Sequence, residues 1–152
     1  MQLISFKISV AFFIRFDMQN IHDKVAYVTG GTKGIGFGIA KSLLEAGLKV
    51  AISGRNIEDV EKAKQELGNR NVLALKSDVR NFEDESMAVE QIIAEYGKLD
   101  IVVANAGLGK FAAVDELTLE DWNAMIDTNL TGAFHTLKAT VEQLKQNRGY
   151  YI

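Results

Sequence analysis

The chain has 152 residues, the length of one ordinary domain and enough to bury a substantial core. Hydrophobic residues make up 47% and charged residues 24%, as in soluble globular proteins. A formal net charge of −3, with Lys and Arg scattered along the chain, gives no electrostatic footprint for nucleic acid. The sequence holds no cysteine, which excludes disulfides, thiolate zinc sites and cysteine nucleophiles and agrees with a reducing, cytoplasmic setting.

Residues 1–17 differ in pattern from the rest of the chain. Ile4, Phe6, Ile8, Val10, Phe12, Ile14 and Phe16 alternate with mostly polar or small residues, the period of a strand. Lys7 and Arg15 interrupt the run, so it is too short to span a bilayer, and no small-residue cleavage site marks it as a signal peptide. No membrane partner is expected. Two readings stand: translation starts at Met18 and the first 17 residues are a non-native extension, or they add an edge strand.

From Lys24 onward short apolar runs alternate with longer periodic segments. The runs Val25–Val28, Val50–Ile52, Val72–Leu75 and Ile101–Ala104 are nearly continuous in apolar residues, as expected of strands covered by helices on both faces. Between them the spacings of Ile35, Ile39, Leu43 and Ala46, of Val60, Ala63 and Leu67, and of Val89, Ile92, Ile93 and Tyr96 predict three helices. Gly47, Gly68 and Gly97 stand where left-handed caps would end them. A last long helical region opens at Thr118, with Asp121 three residues on in capping-box form. Its apolar stripe, Trp122, Met125, Ile126, Leu130, Phe134, Leu137, Val141 and Leu144, reads as core or interface. Arg148-Gly149 end the helix, and Tyr150-Tyr151-Ile152 look like the start of a fifth strand. The fold class expected is α/β, a doubly wound parallel sheet of Rossmann type built by residues 18–152 and truncated at that fifth strand. On this reading the fourth strand lacks a neighbour on one side, and marginal stability or self-association is expected.

The first strand runs into Thr29-Gly30-Gly31-Thr32-Lys33-Gly34-Ile35-Gly36, which opens the first helix. Such a turn suits a pyrophosphate: Gly30 makes the tight turn, Gly34 lets backbone approach the phosphates, and Gly36 lets helix pack on strand. The helix N-terminus adds N–H groups and partial positive charge, with Thr32, Lys33 and Ile35 beside them. About twenty residues further on, where an acid would take a ribose 2′-hydroxyl, the chain places Arg55. Arg55 and Lys33 could neutralise a 2′-phosphate, which favours NADP(H) over NAD(H); as ordinary surface cations they would carry no such meaning. Asp78-Val79 come just after the third strand, where Asp78 could accept from the adenine amino group or cap a helix; Asn81 is as well placed to cap. Asn105-Ala106-Gly107 end the fourth strand, small enough to leave room for a cofactor, with Asn105 able to fix neighbouring backbone. His22 and His135 lie far apart without matching carboxylates and read as surface or packing residues, so no metal site is expected.

With these four places in order, residues 21–152 resemble the short-chain dehydrogenase/reductase family in the subgroup whose turn is Thr-Gly-x-x-x-Gly-x-Gly. Thr29 to Gly36 match every fixed position, and Asp78-Val79 and Asn105-Ala106-Gly107 match the adenine and strand-four motifs. Asn129, within Thr128-Asn129-Leu130-Thr131-Gly132, matches the catalytic asparagine, whose family role is to support a water-linked proton relay. The resemblance implies an NADP(H)-dependent oxidoreductase that passes hydride between nicotinamide and a small-molecule carbonyl or alcohol. It also implies a homo-oligomer, since full-length relatives often use the helix corresponding to the one from Thr118 at subunit interfaces. The family's serine after the fifth strand and its Tyr-x-x-x-Lys are missing: Gly31 stands four residues after Tyr27, and Asp100 four after Tyr96. The 152-residue chain is therefore expected to be nearly inactive, the cofactor-binding half of an enzyme. The alternative is a short product that binds nucleotide or a partner without catalysis.

Overall fold

The structure is a computed structural model and describes residues 21–68 and 70–152; the alternating segment of residues 1–17 and the start at Met18 lie outside the described residues. In chain order the elements are β1 (Val25–Val28), α1 (Gly34–Glu45), β2 (Lys49–Gly54), α2 (Ile57–Glu66), β3 (Val72–Lys76), α3 (Phe82–Tyr96), β4 (Ile101–Val103), α4 (Leu119–Ile126), a π-helical turn (Asp127–Thr131), α5 (Gly132–Asn147) and β5 (Tyr150–Tyr151). The strands form one parallel sheet in the order β3-β2-β1-β4-β5. The register sets Val28 beside Ile52 on one side and Val103 on the other. Strand order therefore reverses between β1 and β4, the switch point at which ligands of such sheets sit.

Alternation along each strand builds two cores. Ala26, Val28, Val50 and Ile52 face α1 and α2, meeting Ala40, Val60 and Ala63. Val25, Tyr27, Ala51 and Val102 face the other way, meeting Ala88 and Ile92 of α3 and Leu144 of α5. All of these are buried, so the strands show no polar alternation, as parallel strands covered on both faces should. Gly97 closes α3 in the left-handed conformation, and Gly47 and Gly68, just past α1 and α2, also have positive φ. Asn81 caps α3 and Thr118 caps α4, each accepting from a backbone N–H of the first turn. Asp100 ties the two central strands together: its carboxylate accepts the Val25 N–H at 2.9 Å and pairs with Lys24 and Lys98.

Two expectations change. β4 is not bare on its outer side, because Tyr150 and Tyr151 pair with Ile101 and Val102. The helical region from Thr118 does run on to Asn147, but with a π-turn inside it, and the stripe read from its apolar residues is not the face packed on the core. The π-turn shifts the phase, and α5 packs through Gly132, Thr136, Thr140 and Leu144, spaced four apart. The two threonines are buried with their hydroxyls satisfied because each donates back one turn, Thr136 to the Gly132 carbonyl and Thr140 to that of Thr136. Of the predicted stripe only Leu144 reaches the core, while Trp122, Leu130 and Phe134 are more than half exposed.

Candidate nucleotide-binding site

The end of β1 breaks sharply. Gly30 has φ +65° and Gly34 φ +58°, both in the left-handed region where glycine carries no Cβ penalty. At three positions of this turn there is no room for a side chain. A Cβ on Gly30 would lie 2.9 Å from the Ala106 Cα, one on Gly31 2.7 Å from the Ile52 methyl, and one on Gly36 2.5 Å from the Gly30 carbonyl oxygen. At Gly34 the space is open, so backbone is presented to solvent there. Lys33 occupies the N-cap of α1 in extended conformation without a side-chain cap, and the first turn holds no acid. The N–H groups of that turn are left for an anion.

The strand-four segment braces this turn. Asn105 donates Nδ2 to the carbonyls of Thr29 (3.0 Å) and Gly30 (3.2 Å), and the Ala106 N–H donates to the Thr29 hydroxyl at 3.1 Å. Gly107 lies beside Asn129, whose amide accepts from the Leu108 N–H at 2.8 Å and donates to the Leu108 carbonyl at 2.9 Å. Both bonds are possible because Asn129 sits in the π-turn, where the extra residue per turn re-aims the side chain; such turns occur often at functional sites. Below, Val79 is clamped by α5. Its carbonyl meets His135 Nδ1 at 2.9 Å, and a Cβ on Gly132 would lie 2.6 Å from its methyl. His135 is thus a packing residue, while His22 is exposed and pairs with Asp23.

These segments enclose a cleft of about 750 Å³ over the C-terminal ends of the strands. Gly30, Thr32, Lys33, Ile35, Gly36, Arg55, Asp78, Val79, Asn105, Ala106 and Gly107 all line it. Gly34 and Asn129 do not, although Thr128 and Leu108, the neighbour and the partner of Asn129, do. Ile35, expected on the buried stripe of α1, is 79% exposed and belongs to the cleft instead. The lining carries Lys33, Arg55 and Arg80 against two carboxylates, Asp59 and Asp78, and Arg80 is bonded to Asp78. The side-chain hydrogen bonds of Arg80 hold the Asp78 carboxyl below the ordinary carboxylate range against the opposing effect of burial. The Arg80 N–H and charge, and the charge of Arg55, add to that lowering.

Beneath the cleft floor lies a polar cluster that the strand pattern concealed. Ser77 donates to Glu85 Oε1 at 2.6 Å, and the Tyr27 hydroxyl lies 3.0 Å from the same oxygen and 2.9 Å from the Ser53 hydroxyl. All four residues are buried, and burial first, then the charge of Glu85, push the Tyr27 phenol well above its ordinary value. Tyr27 is therefore a neutral donor. Sequence reasoning gave no role to Gly31, Gly54 and Gly132, whose close contacts appear only in the fold.

A parallel sheet of this order, with a glycine turn at the switch point and a cleft above it, defines a Rossmann-type nucleotide-binding fold. The chain belongs to the short-chain dehydrogenase family, whose model matches residues 24–152. It is 37% identical over 129 residues to a 3-oxoacyl-(acyl-carrier-protein) reductase of Chlamydia muridarum, covering 83% of this chain and 52% of the relative. Among solved structures, a 3-ketoacyl-(acyl-carrier-protein) reductase of Brucella melitensis complexed with NADH superposes with a TM-score of 0.80 at 31% identity, over 84% of this chain and 53% of that one. An alcohol dehydrogenase of the archaeon Thermococcus sibiricus complexed with 5-hydroxy-NADP gives a TM-score of 0.80 at 36% identity, over 86% and 57%. The chain thus spans about half the length of the relatives it matches.

Proposed function

We propose that this chain is the cofactor-binding part of an NADP(H)-dependent oxidoreductase that interconverts a carbonyl and an alcohol on a small-molecule substrate. The observation that carries the proposal is the uncapped α1 N-terminus beside a turn that has no room for a side chain at Gly30, Gly31 and Gly36, with Lys33 and Arg55 on the rim of the same cleft. The donor set fits the group. N–H donors take a pyrophosphate, the two cations take a 2′-phosphate, and Asp78 takes the adenine amino group. Gly30, Thr32, Gly34, Ile35 and Gly36 shape the phosphate cradle, while Val79 and Asn105-Ala106-Gly107 form the floor along which the dinucleotide lies. When bound, a nicotinamide cofactor supplies the hydride chemistry. Asn129 fixes Leu108 at the edge of the cleft and is the one member of the family's catalytic set that this chain holds. Without the family's serine, tyrosine and lysine the 152-residue chain should bind cofactor and turn over little, because a tuned proton donor commonly contributes about 10²–10⁴-fold.

Titration of NADPH and NADH fluorescence tests the cofactor assignment. NADPH should bind at least about tenfold more tightly, and Arg55→Asp should erase or invert that ratio, since charge-assisted phosphate contacts are worth about 1.5–3 kcal/mol. Equal affinities for the two dinucleotides, or an unchanged ratio in Arg55→Asp, would remove the NADP(H) assignment. The exposed Trp122, Leu130 and Phe134 favour a further part of the reading, that the full-length protein is a homo-oligomer with this face at a subunit contact. They equally suit the second reading, a cytoplasmic product that binds nucleotide or a partner without catalysis.

A further inference from the structure

Asp78 does not stand in the cleft as a free carboxylate. Arg80, two residues on, points its Nε at both oxygens (3.0 Å to Oδ1, 3.1 Å to Oδ2) and its Nη2 at Oδ2 (2.6 Å), and its backbone N–H donates to Oδ1 at 3.1 Å. The Asp78 N–H is itself held by Asp84 Oδ2 at 3.0 Å, so the residue is pinned at backbone and side chain alike. An ionised carboxylate offers about four acceptor positions. Three N–H groups make four contacts with them, two on each oxygen, but the Nε–H is shared between the two oxygens, so it can give up either one to a ligand donor and keep the other. The planar fork of an arginine fixes the plane of the carboxylate as well as its charge, which an ammonium group would not do.

We propose that Arg80 is a positioning residue for base recognition: its fork sets the Asp78 carboxylate so that the acceptor position the shared Nε–H gives up meets the exocyclic amine of the adenine. Its charge also cancels that of Asp78, so that a carboxylate can stand close to a polyanionic cofactor without repelling it. The inference rests on the nucleotide reading above and assigns to Arg80 the selection of a 6-amino over a 6-oxo purine. A 6-oxo base would set one acceptor against another at this point and be rejected.

The test compares NADPH with its deamino form, in which a 6-oxo group replaces the amine, by fluorescence titration of the 152-residue chain and its variants. The parent should prefer NADPH by roughly tenfold or more, the worth of one charge-assisted hydrogen bond. Arg80→Met should lose most of that preference, weakening NADPH more than deamino-NADPH, and Arg80→Lys should restore the charge without the full preference. In an Asp78→Asn background Arg80→Met should have no further effect on the ratio. An equal loss for both dinucleotides in Arg80→Met would mark a structural role and overturn the inference, as would a ratio in Arg80→Lys equal to that of the parent. If the parent binds neither dinucleotide, the nucleotide reading itself falls and takes the inference with it. If the parent binds both equally, only the assignment of Asp78 and Arg80 falls.

Discussion

Gly36→Ala and Gly38→Ala make the same chemical change two residues apart on α1 and should have opposite effects. At Gly38 nothing lies within 4 Å of an added Cβ. Alanine there should stabilise the fold by about 0.5–1 kcal/mol by relieving glycine's entropic cost in a helix. At Gly36 the same methyl would collide with the Asn105 amide nitrogen and lie 2.5 Å from the Gly30 carbonyl oxygen. Those two groups are hydrogen-bonded to each other, so the methyl must either push Asn105 off the turn or push α1 off β1. Overpacking costs about 1–3 kcal/mol, and the two Asn105 bonds to the turn are worth about 1 kcal/mol each. The two variants should therefore differ in urea unfolding free energy by about 2–4 kcal/mol. On the nucleotide reading Gly36→Ala should also lower NADPH affinity by about tenfold or more, because a small displacement of the cradle misaligns every N–H donor. Gly38→Ala should leave it unchanged. Stabilities within about 0.5 kcal/mol of each other would refute the argument that close approach, rather than helix propensity, requires glycine at position 36.

Two further outcomes concern the interior. Tyr27→Phe keeps the apolar ring but takes a donor from Glu85 Oε1, whose partner oxygen Oε2 makes no hydrogen bond among the described residues. It should cost about 1–3 kcal/mol in urea unfolding, and a change below about 0.5 kcal/mol would mean that Ser77 satisfies the carboxylate alone. Burial by itself would raise the Asp100 carboxyl, but the Val25 N–H, Lys98 and Lys24 together outweigh it and leave it below the ordinary value. A depressed folded value contributes stability above the unfolded value of about 3.9 and loses it as pH falls through the folded one. Asp100→Asn should lower stability at neutral pH by about 1–2 kcal/mol and flatten the fall in urea midpoint below about pH 4. An acid limb as steep as in the parent would place its origin elsewhere.

The fold was legible because its strands are buried on both faces and its helices end on glycine. Val25–Val28 and Val72–Leu75 could be read almost to the residue, since a continuous apolar run bounded by polar residues has few other uses in a chain of this length. The helix from Thr118 misled for the same physical reason. Hydrophobic spacing identifies a buried face only when burial is apolar, and α5 buries Gly132, Thr136 and Thr140, small residues of which Gly132 lies directly against Val79. A threonine that bonds its own preceding turn carries no sign in sequence of whether it faces core or solvent.

The cleft divides in the same way. Its glycines, Arg55, Asp78 and Asn105 were visible because each sits at a strand end, where the chain must turn and the residue type is constrained by backbone. Arg80 was not, because an arginine after a short acidic motif reads as a solvated surface charge, and only coordinates show its guanidinium closed on Asp78. Asn129 is the intermediate case. The motif marks the residue, yet the π-turn that brings its amide to both backbone groups of Leu108 has no residue signature of its own. A regular helix through Asp127–Thr131 would turn that side chain by roughly a further fifth of a revolution and release the loop after β4. The π-turn and the paired amide thus go together: the turn aims the amide, and its two hydrogen bonds hold Leu108, and with it the loop after β4, at the edge of the cleft.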